Sequence, residues 1–373
     1  MLSDFESLPA AKIRVNNSNS LKEIMDRRGI APFLIALMAI IGPLNAAEIR
    51  LIEGHRADMK HGGSLDGGPS TGIGNNLKDD DEIICNISLE GRIDQGDLEK
   101  LKSTVDAADD PWIKIGTMRL CLNSPGGSFD EALKIFEFML GKSISTAVLP
   151  NRICVSACAI IFMAGRPGTW WGLSRFIHPS STLAFHAPYL QGVPPGLDPK
   201  EFLAAAYAKG IQAVQKLMKI AQRGPKGVFR SELTVEMLAK GPGEADVIDT
   251  VEKLARFRIG LFDGAPPRLN ALAFCNACTN FYDTDPEIDD CPNISKDKNG
   301  ERLPHGVRYK FLVGGTNGTM CHVDVARDGQ KVSGWYVSDH EPSEGEFGTV
   351  LAYWYLYAPH TPIKSLARSV RHR

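Results

Sequence analysis

The stretch "IGTMRLCLNSPGGSFDEALKIFEFMLGK" (115–142) runs an apolar strand into an amphipathic helix through Pro125, Gly126 and Gly127. A buried strand that becomes a helix within a few residues, where the pattern repeats, argues for an α/β domain with right-handed crossovers. The pattern repeats on either side. Upstream, "IICNISLEGRI" from Ile83 alternates as a strand does, and Asp94 or Asp97 can cap the amphipathic "LEKLKSTVDAA" that follows. Downstream, "ISTAVL" is a third strand leading into "RICVSACAIIFMAG" (152–165), and "STLAFHAP" is a fourth. The long helix "PKEFLAAAYAKGIQAVQKLMKIAQ" and the short ones "TVEMLAKG" and "TVEKLARFRIG" carry the α/β domain, residues 83–262, to its end.

The flanking segments have another character. Arg27 and Arg28 precede "GIAPFLIALMAIIGPLNAA", whose basic end, apolar core and small-residue exit mark residues 25–47 as a signal peptide or signal anchor. Its core is shorter than the roughly 20 apolar residues of a spanning helix. With Met25 just before the arginines, residues 1–24 read as an upstream extension. Residues 48–82, with six glycines between His61 and Leu77, read as a flexible linker. Residues 265–361 read as a small β-rich domain tied by cysteines, with strands in "RYKFLVGG", "MCHVDVA", "KVSGWYV" and "TVLAYWYLY", and 362–373 as a solvated basic tail.

Charge removes some function classes. With 42 basic and 44 acidic side chains and a formal net charge of -2, no overall field favours nucleic acid or an anionic membrane. Membrane contact is expected only if the N-terminal segment is retained. The eight cysteines of an exported chain are expected to form disulfides, which persist outside the cytoplasm. "CNAC" at 275–278 with Cys291 and Cys321 therefore reads as two disulfides ahead of a four-thiolate zinc site. "LGKS" lacks the upstream glycine of a phosphate loop, and "DTDPEIDD" lacks the glycine turn of an EF-hand.

Three features bear on chemistry: the "NSPGGS" turn at 123–128, Ser156 among small residues, and His186 in "FHAP". Each alone reads as structure: a tight turn, a packed serine, a hydrogen-bonded histidine. As an ordered set they supply what acyl transfer needs, namely a nucleophile, a base and backbone donors for an oxyanion. The set resembles the proteolytic subunit of the Clp protease, especially its exported bacterial relatives. That family carries an "NSPGG" turn, a serine with a small neighbour at a helix start, and "HQP" after a strand, matched here by Asn123 to Gly127, Ser156-Ala157 and His186-Ala187-Pro188.

The resemblance covers roughly residues 83–262 and implies a repeated β-β-α spiral of the Clp and crotonase kind. It also implies a serine endopeptidase with Ser156 as nucleophile, His186 as base, and Gly127 and Ala157 N–H groups as oxyanion hole. "DVIDTVEKLARFRIG" fits the family's aspartate-then-helix pattern if Thr250 opens the helix, which selects Asp246 as the third member, with Asp249 close by. The ungapped fit of "RFIHPSSTLAFHAP" leaves His178 a bystander. Ala187 and Arg258 depart from the family's glutamine and glycine.

No cofactor is implied. The expected partners are a peptide or unfolded protein and further copies of the chain. The competing readings are a catalytically inactive Clp-like scaffold of the cell envelope and a crotonase-type acyl-CoA enzyme. Cys154 and Cys158 flank the serine. On one helix turn their Cβ atoms would lie about 6 Å apart, against the roughly 3.8 Å of a disulfide. If Cys154 precedes the helix, a bridge that stiffens the serine loop is open to them, as are bridges to Cys85 or Cys121. A cysteine nucleophile is the rival reading of the pair.

Overall fold

The computed structural model describes residues 46–52, 85–108, 118–142, 144–165, 175–188, 198–223, 229–241, 243–264, 267–282, 291, 300–304, 306–313, 319–326, 332–337 and 353–367. The expected upstream extension, nearly all of the signal segment, and linker residues 53–82 lie outside them. Among the described residues no helix is long and apolar enough to cross a membrane.

In chain order the elements begin with β1 (Glu48–Leu51), β2 (Ile87–Glu90), α1 (Asp97–Ala107), β3 (Arg119–Asn123), α2 (Phe129–Lys142), β4 (Ser145–Val148) and β5 (Ile153–Val155). They continue with α3 (Ala157–Met163), β6 (Arg175–Ile177), β7 (Thr182–Phe185), α4 (Pro199–Arg223), α5 (Ser231–Leu238), β8 (Asp246–Val247), α6 (Val251–Arg256) and β9 (Gly260–Leu261). The last third adds α7 (Ala271–Tyr282), β10 (Glu301–Leu303), β11 (Gly306–Val313), β12 (Thr319–Ala326) and β13 (Val332–Val337). The described residues form one compact unit.

The main sheet has the order β1-β2-β3-β4-β6-β9. All its pairings are parallel except the antiparallel β1 edge. One face holds the main core, with Ile87, Leu89, Leu120, Leu122 and Val148 essentially inaccessible, and the other carries a small cluster of Cys85, Cys121 and Ala147. A second sheet, β5-β7-β8, carries the region of interest, with β5 and β7 parallel and β8 antiparallel to β7. The third sheet, β10-β11-β12-β13, is an antiparallel meander.

Four expectations need correction. The linker reading fails at its start, because Glu48–Leu51 pairs with β2 and rests Ile49 and Leu51 against the core. Neither Asp94 nor Asp97 caps α1 at its Gly96 N-cap. Instead the buried Glu131 of α2 accepts the Gly96 and Leu98 N–H groups through Oε1, at 3.1 and 2.9 Å. Those bonds and Lys134 outweigh burial, which alone would raise the Glu131 carboxyl, and hold its pKa below the ordinary value.

The strand expected in "TVLAYWYLY" is, over Tyr353–Leu356, a 3₁₀ turn. It packs on α7, where Asn280 Nδ2 donates to the Tyr355 and Tyr357 carbonyls, each at 2.8 Å. The tail expected to be solvated docks as far as residue 367, with Ile363 and Leu366 buried. The Val251 and Glu252 N–H groups at the start of α6 donate to the Thr361 and Pro359 carbonyls at 3.1 and 2.8 Å.

All eight cysteines are bridged: Cys85–Cys121, Cys154–Cys158, Cys275–Cys291 and Cys278–Cys321. The expectation of a bridge at the serine loop is met. The zinc reading of the last four cysteines and the cysteine-nucleophile reading both lose their free thiolates.

Candidate active site

Ser156 stands between the end of β5 and the first residue of α3, with φ 60° and ψ −124°. Side chains with a Cβ rarely occupy such a backbone, at a cost of order 1–3 kcal/mol. Its N–H donates to the Ala184 carbonyl of β7 at 3.0 Å, and its carbonyl accepts from Ala159 and Ile160. At the far end of α3, the buried Arg175 donates to the Met163 carbonyl at 3.2 Å and Thr146 Oγ1 to that of Phe162 at 2.8 Å.

The "NSPGG" turn is tied to the same strand. Ser124 N–H donates to the Ile153 carbonyl at 2.8 Å and Val155 N–H to the Ser124 carbonyl at 3.1 Å. The buried Ser124 Oγ accepts the Gly126 N–H at 3.1 Å, closing the turn on itself. From the other side, Ile93 N–H donates to Gly126 O and Ile93 O accepts from Ser128 N–H. The fit requires glycine twice. A Cβ on Gly126 (φ 101°) would stand 2.7 Å from Ser156 Cβ and 3.2 Å from Ala157 N. One on Gly127 (φ 147°) would stand 2.1 Å from the Ile93 carbonyl oxygen.

The turn and the serine loop are therefore in direct contact. Neither the Gly127 nor the Ala157 N–H donates a hydrogen bond among the described residues. These are the two amides expected as oxyanion donors.

His186 follows β7 directly. The parallel register pairs Val155 with Ala184, so Ser156 and His186 leave their strands at the same end of the sheet. Its Nδ1 lies 2.8 Å from the Ala187 carbonyl oxygen. A carbonyl only accepts, so Nδ1 carries the proton, and in the neutral ring Nε2 is left with the lone pair a base needs. No hydrogen bond joins Ser156 Oγ to His186 among the described residues.

Asp246 lies opposite Phe185, the residue before His186, in the β7–β8 ladder. It is 5% exposed. Its Oδ1 accepts from Lys253 Nζ at 2.8 Å, while Oδ2 has no hydrogen-bond partner. Lys253 also donates to the Val247 carbonyl at 2.7 Å and pairs with Asp249 at 3.2 Å. Burial opposes the Lys253 charge, but Asp246, then Asp249, outweighs it and raises the Lys253 pKa. Burial pushes the Glu236 carboxyl up; Arg256 opposes that rise and the Asp246 charge adds to it.

The structure thus brings together Gly127, Ser156 and Ala157, sets His186 at the same sheet end, and gives Asp246 a lysine as its direct partner. Thr250 opens α6 as expected, its Oγ1 accepting the Lys253 N–H. Arg258, which departs from the glycine that the resemblance expects, sits at φ 53°, in the left-handed region that favours glycine. Sequence reasoning missed Lys253, a surface-type residue in an amphipathic helix, and nothing in its spacing marks it as a partner of Asp246.

His178, expected to be a bystander, makes local contacts at the end of β6. Its Nδ1 accepts the Ser180 N–H at 3.0 Å, and Nε2 lies 3.3 Å from Asp263 Oδ2. Burial lowers its pKa, and Asp263 partly restores it.

Residues 87–196 match the family described as Clp protease. The matched stretch holds the "NSPGG" turn, Ser156 and His186, and ends before Asp246. Among curated proteins none matches the chain.

Proposed function

From the Clp protease match over residues 87–196, we propose that this chain is an exported serine endopeptidase that works without nucleotide in its own fold. Ser156 Oγ attacks the scissile carbonyl while His186 Nε2 takes its proton. The carbonyl oxygen, now negative, is held by the Gly127 and Ala157 N–H groups. His186 then returns the proton to the leaving amine, and water resolves the acyl-enzyme by the same route.

The observation that carries this reading is the strained Ser156 set against the Gly126–Gly127 turn with two unengaged amides beside it. Donors of this kind are worth about 3–4 kcal/mol each. The Ser156–His186 hydrogen bond that this reading requires forms around bound substrate, as catalytic hydrogen bonds do. Asp246 serves as third member through its unpartnered Oδ2, once the His186 ring turns from the Ala187 carbonyl. Four disulfides fit an oxidising, extracytoplasmic setting. Peptides or unfolded chains are the substrate class, and assembly into a homo-oligomer follows the family's habit.

One observation favours a second reading. The Lys253 ion pair on Asp246 is what an inactive Clp-like binding protein would retain. Incubation of the full chain with casein, without nucleotide, separates the two. The proposal expects cleavage that falls by about 1,000-fold or more in Ser156→Ala and in His186→Ala. Cleavage by Ser156→Ala at the wild-type rate rejects it, and no cleavage by any form supports the binding protein.

A further inference from the structure

Ser156 is the centre of a covalent ring. Cys154, in β5, and Cys158, in α3, are bridged with their Cα atoms 5.1 Å apart, and the closed loop contains just Val155, Ser156 and Ala157 between them. Both cysteines are fully buried. A non-glycine residue at φ 60° keeps that conformation only where its surroundings over-determine it. Non-covalently, Ser156 is held by its N–H bond to Ala184 and by contact with the Gly126 turn.

We propose that the Cys154–Cys158 disulfide is a positioning element for the nucleophile, resting on the peptidase reading above. It holds Ser156 in its strained backbone and so aims both Oγ and the Ala157 N–H at one reacting carbonyl. The ψ of Ser156 sets the plane of the Ser156–Ala157 peptide. Relaxation toward an ordinary φ and ψ swings the Ala157 N–H away from the Gly127 N–H and moves Oγ off the base. The bridge joins a strand residue to a helix residue across the strained position, so it resists that rotation in a way that hydrogen bonds alone do not. The other three disulfides join residues outside this loop. The device works where the bridge persists, which ties competence of the site to an oxidising compartment.

The test compares the full wild-type chain with Cys154→Ala/Cys158→Ala, and with Cys85→Ala/Cys121→Ala as a control lacking a bridge elsewhere. A Cys154→Val/Cys158→Ala chain runs in parallel, because valine suits a buried strand position if the alanine pair fails to fold. Labelling by a fluorophosphonate probe is measured against probe concentration, which separates the maximal rate from half-saturation. Amide hydrogen exchange is followed at Ser156, whose N–H bond to Ala184 reports the loop directly.

Loss of the Cys154–Cys158 bridge is expected to lower the maximal rate about 10- to 100-fold with half-saturation within about 2-fold. It is also expected to speed exchange at Ser156 while exchange in α2 is kept. The control keeps its maximal rate within about 3-fold. Equal maximal rates and unchanged Ser156 exchange in the bridge-less chain overturn the proposal, as does an equal loss in the control. Labelling of Ser156→Ala at the wild-type rate overturns the peptidase reading instead, and the exchange measurement still judges the bridge.

Discussion

Single changes at Gly127 and Asp246 test the proposed site at the scale of one residue. Gly127→Ala would drive a methyl group into the Ile93 carbonyl from a backbone that L side chains avoid. A stability loss of about 2 kcal/mol or more is expected in urea unfolding, with casein cleavage lost even in the folded fraction; a change near zero contradicts the placement. Asp246→Asn is expected to slow fluorophosphonate labelling on the order of 100-fold, because an amide cannot stabilise an imidazolium. Asp249→Asn, whose carboxylate is largely exposed, should stay within about 3-fold of wild type. Equal effects of the two would place the third member elsewhere. At this scale the site was half legible. Ser156, His186 and the glycine turn stand out as an ordered set through the resemblance that proposes them, while each alone reads as structure. The Asp246–Lys253 pair does not stand out, since it depends on how β8 meets α6 in space.

Among the elements, α6 depends on a segment far along the chain. The Thr361 and Pro359 carbonyls accept its first N–H groups, Asp249 O accepts from Ile363 N–H at 2.9 Å, and Ile363 and Leu366 bury their side chains. Each bond is worth about 1 kcal/mol and each buried side chain about 1.5–3 kcal/mol. Ile363→Ala/Leu366→Ala should therefore lower stability by more than about 3 kcal/mol and speed exchange in α6 ahead of α2. An unchanged thermal midpoint contradicts that dependence. β6 carries a second dependence at its C-terminal end, through His178. Burial depresses its pKa below the ordinary 6.5, so the unfolded chain binds the proton more readily. Stability should fall as pH drops through 6.5, and His178→Gln should flatten that part of the profile; a profile unaltered by the change argues against a buried, neutral ring. Strands and helices between 87 and 261 were readable because apolar residues recur along them, as Ile87 and Leu89, Leu120 and Leu122 do, between turn residues and amphipathic helices. The Tyr353–Leu356 turn was not, because its aromatics satisfy a strand pattern while Asn280, too distant in sequence to count, takes its carbonyls.

For the whole molecule, the pairing of all eight cysteines makes the oxidation state part of the fold. The intact mass of the unreduced protein should fall one hydrogen per cysteine below the reduced mass, and digestion should recover Cys154 bridged to Cys158; free thiols at that pair would contradict the loop geometry. The sequence anticipated oxidised cysteines from their number and the N-terminal segment, but connectivity is a property of the folded chain. The central claim is that Ser156 is a nucleophile served by His186 and two backbone amides. Its most direct test is mass mapping of the adduct formed when the full wild-type chain reacts with a fluorophosphonate probe. The account predicts one adduct, on Ser156 within the tryptic peptide 153–175, lost in Ser156→Ala and nearly lost in His186→Ala. An adduct on another residue, or undiminished labelling of Ser156→Ala, would contradict it.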